Sequence, residues 1–183
     1  MFVLVPSVAY ARYEGNFNLF AGTKWLNSGD WEPVDTQREL GLMLAFGEER
    51  SPVHFALDAL VSSNEAPLTV PSPDTWVRGS SAELGIGVRK VWKKGATRPH
   101  VGAGAAAFRV SADSDGPSGP STRSDRGYGA WVDAGVTWRI AGHLNLGVEA
   151  RYSSARTDLG SGFVPREVGA GGIHVGALIG YGW

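Results

Sequence analysis

Apolar and polar residues alternate with a period of two through most of this chain, in eight stretches separated by segments rich in Gly, Pro, Ser and Asp. That period places successive side chains on opposite faces of an extended strand. The first stretch sets Phe17, Leu19, Ala21, Thr23 and Trp25 against Asn16, Asn18, Phe20, Gly22 and Lys24. In the second, Leu40, Leu42, Leu44 and Phe46 oppose Glu39, Gly41, Met43 and Ala45. The third and fourth put Val53, Phe55, Leu57, Ala59, Val61 and Ala82, Leu84, Ile86, Val88, Trp92 on the apolar side. The fifth, 101–107, is small and apolar on both faces; Val101, Ala103, Ala105 and Ala107 are assigned outward by analogy with its neighbours. The sixth, seventh and eighth carry Val132, Val136 and Trp138, then Leu144, Leu146 and Val148, then Ile173, Val175, Ile179 and Tyr181 on their apolar faces.

The connections alternate as well. Segments 47–52, 93–99 and 141–143 are short, whereas 27–36, 62–74, 111–125 and 155–172 are longer and turn-rich. Three short turns on one side and four long loops on the other predict an all-β fold: an eight-stranded antiparallel up-and-down transmembrane β-barrel over 12–183. An even strand count puts both termini at the end of the short turns, expected to be periplasmic.

The polar face carries Lys24, Glu39, Asp58, Glu83, Arg89, Asp133, Arg139, Glu149 and Arg151. The opposite face carries almost no charge; Lys90, two residues before Trp92, is the main exception and is placed to snorkel to an interface. A soluble barrel buries its apolar face and wets the charged one, so composition alone leaves the orientation open. Aromatic placement decides it. Phe46, Phe55, Trp92, Trp138, Tyr181 and Trp183 lie near short turns or the C-terminus, and Trp25, Trp31, Trp76, Tyr128 and Tyr152 near long loops. Two aromatic belts at opposite strand ends are what two membrane interfaces require. The charged face then lines the lumen. Its five acids and four bases are expected to pair as a plug, since an eight-stranded lumen is only wide enough for side chains.

Composition narrows the rest. The 183 residues suit one domain and include no cysteine, which excludes disulfides, zinc-thiolate sites and thiol nucleophiles. A net charge of −1 offers no basic stripe for nucleic acid. Residues 1–11 contain a short apolar run and Ala9-Tyr10-Ala11, a small-x-small cleavage pattern without a preceding basic segment. They read as a signal-peptide remnant or as an N-terminal arm. His54, His100 and His143 map near the short-turn rim without the close spacing of metal ligands, so no metal or other cofactor is expected.

Arg98-Pro-His-Val-Gly-Ala-Gly resembles the Pro-aromatic-Val-Gly-x-Gly opening of the small outer-membrane barrels of the OmpA-domain, OmpX and OmpW type, with His100 in the aromatic place. The ending Gly180-Tyr-Gly-Trp183 resembles their C-terminal assembly signal, carried here by Tyr181 and Trp183. The resemblance implies an outer-membrane monomer in contact with lipid bilayer and lipopolysaccharide, inserted by the barrel-assembly machinery. It also implies a structural, adhesive or surface-interaction role, with a small passive or lateral channel as the alternative. Lipid A-modifying hydrolases share the fold and carry a His-x-Ser pair; the nearest stretch here, Arg151-Tyr-Ser-Ser154, lacks the histidine. A serine without its base is a weak nucleophile, so no enzyme is expected.

Overall fold

The computed structural model describes residues 12–67, 76–115, 119–158 and 167–183; the expected remnant or arm at 1–11 lies outside the described residues. The strands are β1 (Tyr13–Trp25), β2 (Thr36–Glu48), β3 (Val53–Pro67), β4 (Trp76–Val91), β5 (Thr97–Asp115), β6 (Ser121–Ile140), β7 (Leu144–Asp158), β8 (Glu167–Gly169) and β9 (Gly172–Gly182), with one short helix, α1 (Ser28–Trp31). Neighbours from β1 to β7 pair antiparallel, and β9 pairs with both β7 and β1, so eight strands close on themselves. The three-residue β8 lies outside the ring, on the extension of β7. No described helix is long and apolar enough to cross a membrane.

The period of two sorts side chains as expected. Leu40, Val61 and Leu84 are 63%, 58% and 64% exposed on the outside, an arrangement that water would penalise and hydrocarbon would not. Inside, Lys24 and His174 are fully buried. Val101, Ala103 and Ala105 face outward and Ala106 and Phe108 inward, which settles the face of β5.

The long connections differ from expectation. Much of 62–74, 111–125 and 155–172 is strand: β3 runs to Pro67, β5 to Asp115 and β7 to Asp158. Past the membrane both strand faces are wet, so Ser, Asn, Asp and Glu replace the alternation and imitate a loop. The wall is consequently uneven, with 19 and 20 residues in β5 and β6 against 11 in β9.

Two apolar clusters fill the interior. Phe20, Met43, Leu60 and Leu178 pack within the lumen. Leu26, Trp31, Val34, Phe108, Val110, Trp131, Val168 and Ala170 belong to a second cluster that continues into the long-loop end. There α1 and β8 form a lid: Trp31 Nε1 donates to the Gly169 carbonyl at 2.7 Å, and the Gly169 amide donates to Asp30 Oδ2 at 3.0 Å.

Candidate functional site

The charged inward positions form a connected array. Arg89 donates through Nε and Nη2 to Asp133 Oδ2 at 2.9 and 2.7 Å. Its Nη2 also reaches Asp58 Oδ2 at 2.9 Å. Arg151 donates to the same Asp58 oxygen at 2.7 Å and to Glu83 Oε1 at 2.5 Å. Asp58 is therefore shared by two guanidinium groups. Trp131 lies beside both, with the Arg151 and Arg89 groups 4.3 and 5.6 Å from its ring centroid. Desolvated charges at such distances are tolerable only because partners replace their water.

The array continues toward both ends. Glu149 forms an ion pair with Arg89 at 3.6 Å and meets His100 Nε2 at 3.1 Å. At the short-turn mouth, Glu14 gathers His54 at 3.2 Å, Lys93 at 2.5 Å and Arg98 at 3.9 Å. Toward the lid, Lys24 Nζ donates to Ser81 Oγ at 3.0 Å and to the Ala170 carbonyl at 3.2 Å. Ser62 bonds both Ser81 and Gln37, giving the lysine a hydroxyl and amide surround.

Eight of the nine expected lumen charges are thus buried inside the barrel. Two of the four bases depart from the expected pairing: buried Lys24 is held by Ser81 and the Ala170 carbonyl, and Arg139, half-buried at the mouth, donates to Asn145 Oδ1 at 3.2 Å. Glu14, His54, His100 and His174 join the array, which pairing by charge type alone overlooked.

The aromatic belts need two corrections. Phe46, Phe55, Trp92, Trp138, Tyr181 and Trp183 all face outward at the short-turn end, and Trp25, Tyr128 and Tyr152 face outward at the other. Trp31 is only 4% exposed because it is the lid's apolar anchor. Trp76 faces outward, but Arg78 and Ser80 separate it from the apolar band beginning at Ala82, so it stands above that band on the projecting wall. Trp183 exchanges backbone hydrogen bonds with Gly15 at 3.1 and 3.3 Å, joining the last residue to the first strand.

One grouping contradicts the expectation that Ser153 lacks a base. Ser153 Oγ lies 2.8 Å from His174 Nε2, and His174 Nδ1 lies 2.8 Å from Glu39 Oε2. The histidine comes from β9: Arg151 faces His174 and Ser153 faces Gly172, which makes serine and histidine diagonal neighbours. With Nδ1–H donated to the carboxylate, Nε2 accepts the serine hydroxyl. The distances are those of a nucleophile, base and orienting acid. Ser153 is 1% exposed and His174 0%, however, and Gly171 lies against the Ser153 backbone. Buried in this way, the trio links β7, β9 and β2.

A closed strand ring, an apolar exterior with two aromatic belts and an ionic interior define a transmembrane β-barrel. No protein-family model matches the chain, and no curated protein matches it in sequence. Solved structures do share its fold. The chain is similar to Ail, the attachment invasion locus protein of Yersinia pestis, at 12% identity and TM-score 0.63, over 94% of this chain and 99% of Ail. It is also similar to the N-terminal β-barrel domain of Pseudomonas aeruginosa OprF (12% identity, TM-score 0.56, 93% and 97% covered). The outer membrane protein OprG of the same organism matches at 12% identity and TM-score 0.56, with 93% and 94% covered.

Proposed function

We propose that this protein is a monomeric surface-display barrel of the outer membrane, with its short turns and both chain ends periplasmic and its long-loop end turned outward. Its role is structural or adhesive, exercised by the lid and projecting wall and not by transport. The observation that carries this reading is the ionic filling of the lumen, from Glu14 at one mouth through Arg89, Asp58 and Arg151 to Glu39 beneath the lid. A fixed ion-pair lattice occupies the space that a permeating solute would need. The recess at the short-turn mouth, only about 20 Å³ in volume, is lined by Arg89 and Glu149. That one neighbour in fold is an attachment protein accords with the reading.

Planar-bilayer recording tests it: the purified barrel should give no discrete openings at neutral pH, and reproducible unitary steps would replace this reading with a channel. Orientation is tested separately, helped by the absence of native cysteine. Ser121→Cys on the long-loop side should react with an impermeant maleimide in intact cells, and Lys94→Cys in a short turn only after lysis. The reverse pattern would invert the barrel.

A further inference from the structure

The outward face of β2 to β6 changes character above the apolar band. Arg38, Ser63, Ser80, Ser111 and Ser124 are successive cross-strand partners, so one guanidinium and four hydroxyl residues form a single row around the wall. Directly beneath run Leu40, Val61, Ala82, Arg109 and Arg126, again in register. Arg38, Arg109 and Arg126 are exposed, and none forms an ion pair or hydrogen bond with a described residue. A groove of about 480 Å³ lies between Arg38 and Arg109, floored by Leu40, Val61 and Ala82 and edged by Ser63, Ser80 and Ser111.

Arg109 and Arg126 are direct cross-strand partners, an arrangement that repulsion disfavours unless an anion lies between them. Contrast Arg78, higher on the same wall, whose partners in register are Glu65 and Asp113. The protein supplies acids to that arginine and withholds them from the three below. On β1 and β9 the outward positions toward the long-loop end are Thr23, Trp25, Ile173 and Val175, none of them charged.

We propose that Arg38, Arg109 and Arg126, with the serine row, bind the phosphorylated head group of an outer-leaflet glycolipid, its acyl chains lying on Leu40, Val61 and Leu84. The placement argues for a lipid occupant: cations and hydroxyls end where the apolar surface starts, matching a molecule whose phosphates sit directly above its chains. Guanidinium groups and hydroxyls together are a phosphate-recognising set. The inference rests on the long-loop end facing outward, as proposed above.

The test uses the full barrel in nanodiscs carrying bisphosphorylated lipid A in both leaflets, so binding is read independently of orientation. Lipid A retained after detergent extraction is counted by native mass spectrometry. Wild type should retain bisphosphorylated lipid A about tenfold better than its dephosphorylated form, and Arg38→Gln/Arg109→Gln/Arg126→Gln should lose that preference. The Lys triple variant should keep part of it, and Arg78→Gln all of it. A heat-dependent gel shift confirms that each variant is folded. Equal retention of both lipid forms, or an unaffected triple Gln variant, would overturn the proposal. Displacement by millimolar inorganic phosphate would also overturn it, marking a free-anion site. Inverted maleimide labelling with intact lipid A selectivity would instead fault the orientation alone.

Discussion

Asp58 carries more of the interior than its size suggests, because a single oxygen serves both Arg89 and Arg151. Removing it leaves two guanidinium groups short of countercharge in a desolvated space, where breaking a buried pair typically costs about 3–5 kcal/mol. Asp58→Ala should lower the urea midpoint of the refolded barrel by a corresponding amount, followed by the heat-dependent gel shift. Adding Arg89→Met and Arg151→Met should deepen the loss instead of relieving it, because Asp133, Glu149 and Glu83 would then be buried without their countercharges. Ser153 offers a second decision at this scale. If the trio with His174 and Glu39 is a buttress, a fluorophosphonate will leave the folded protein unlabelled and Ser153→Ala will cost only about 1 kcal/mol. Stoichiometric labelling of Ser153 would reopen the hydrolase reading. The inward positions of Glu39, Ser153 and His174 were legible, as the period of two places all three inside. Their meeting was not, because it depends on register between strands that lie far apart in sequence.

Among the elements, β4 and β5 show how backbone spacing makes room for a side chain of β6. Gly87 and Gly104 are register partners, and the Trp131 ring lies across them. A Cβ on Gly104 would fall 2.8 Å from the indole nitrogen, and one on Gly87 2.7 Å from the ring carbon Cζ2. Gly104→Ala should therefore push the indole off the Ala105 carbonyl it now reaches at 3.1 Å, at a cost of about 1–3 kcal/mol. The check is a lowered urea midpoint together with a shifted Trp131 emission in a variant whose other tryptophans are replaced. Strand cores were readable from alternation because lipid and lumen impose opposite chemistry on the two faces. Strand ends beyond the bilayer were not, since water treats both faces alike; this explains why Ser63, Ser111 and Ser124 passed for loop. Trp31 was misassigned for a related reason: proximity to a long loop fits a belt aromatic and a lid anchor equally well.

At the scale of the whole molecule, the barrel combines a low side at β9 and β1 with a high side at β5 and β6. The lid of α1 and β8 lies at the long-loop mouth on the low side, so, in the proposed orientation, surface contact should be concentrated on the lid and the inner slope of the tall wall. Conductance belongs to this scale too. Ion pairs link Glu14 with His54, His100 with Arg89 through Glu149, and Arg89 with Arg151 through Asp58, so no layer of the described interior is left to open alone. A variant such as Arg89→Ala/Asp133→Ala, neutral as a pair, is expected to fold and to show openings only if the Trp131 ring also shifts aside. Bilayer recordings of that variant beside wild type would measure how much the plug contributes.

The seven tryptophans also divide the barrel optically. Trp25, Trp92, Trp138 and Trp183 face the bilayer from its two margins, whereas Trp31, Trp76 and Trp131 sit in the lid, on the upper wall and among the lumen cations. Brominated acyl chains quench only what they touch, so lipids brominated near the head group should darken the first four and spare the other three. The residual emission then reports on lid, upper wall and lumen, and replacing Trp76 narrows it to an intrinsic optical window on the lid and interior without any added label.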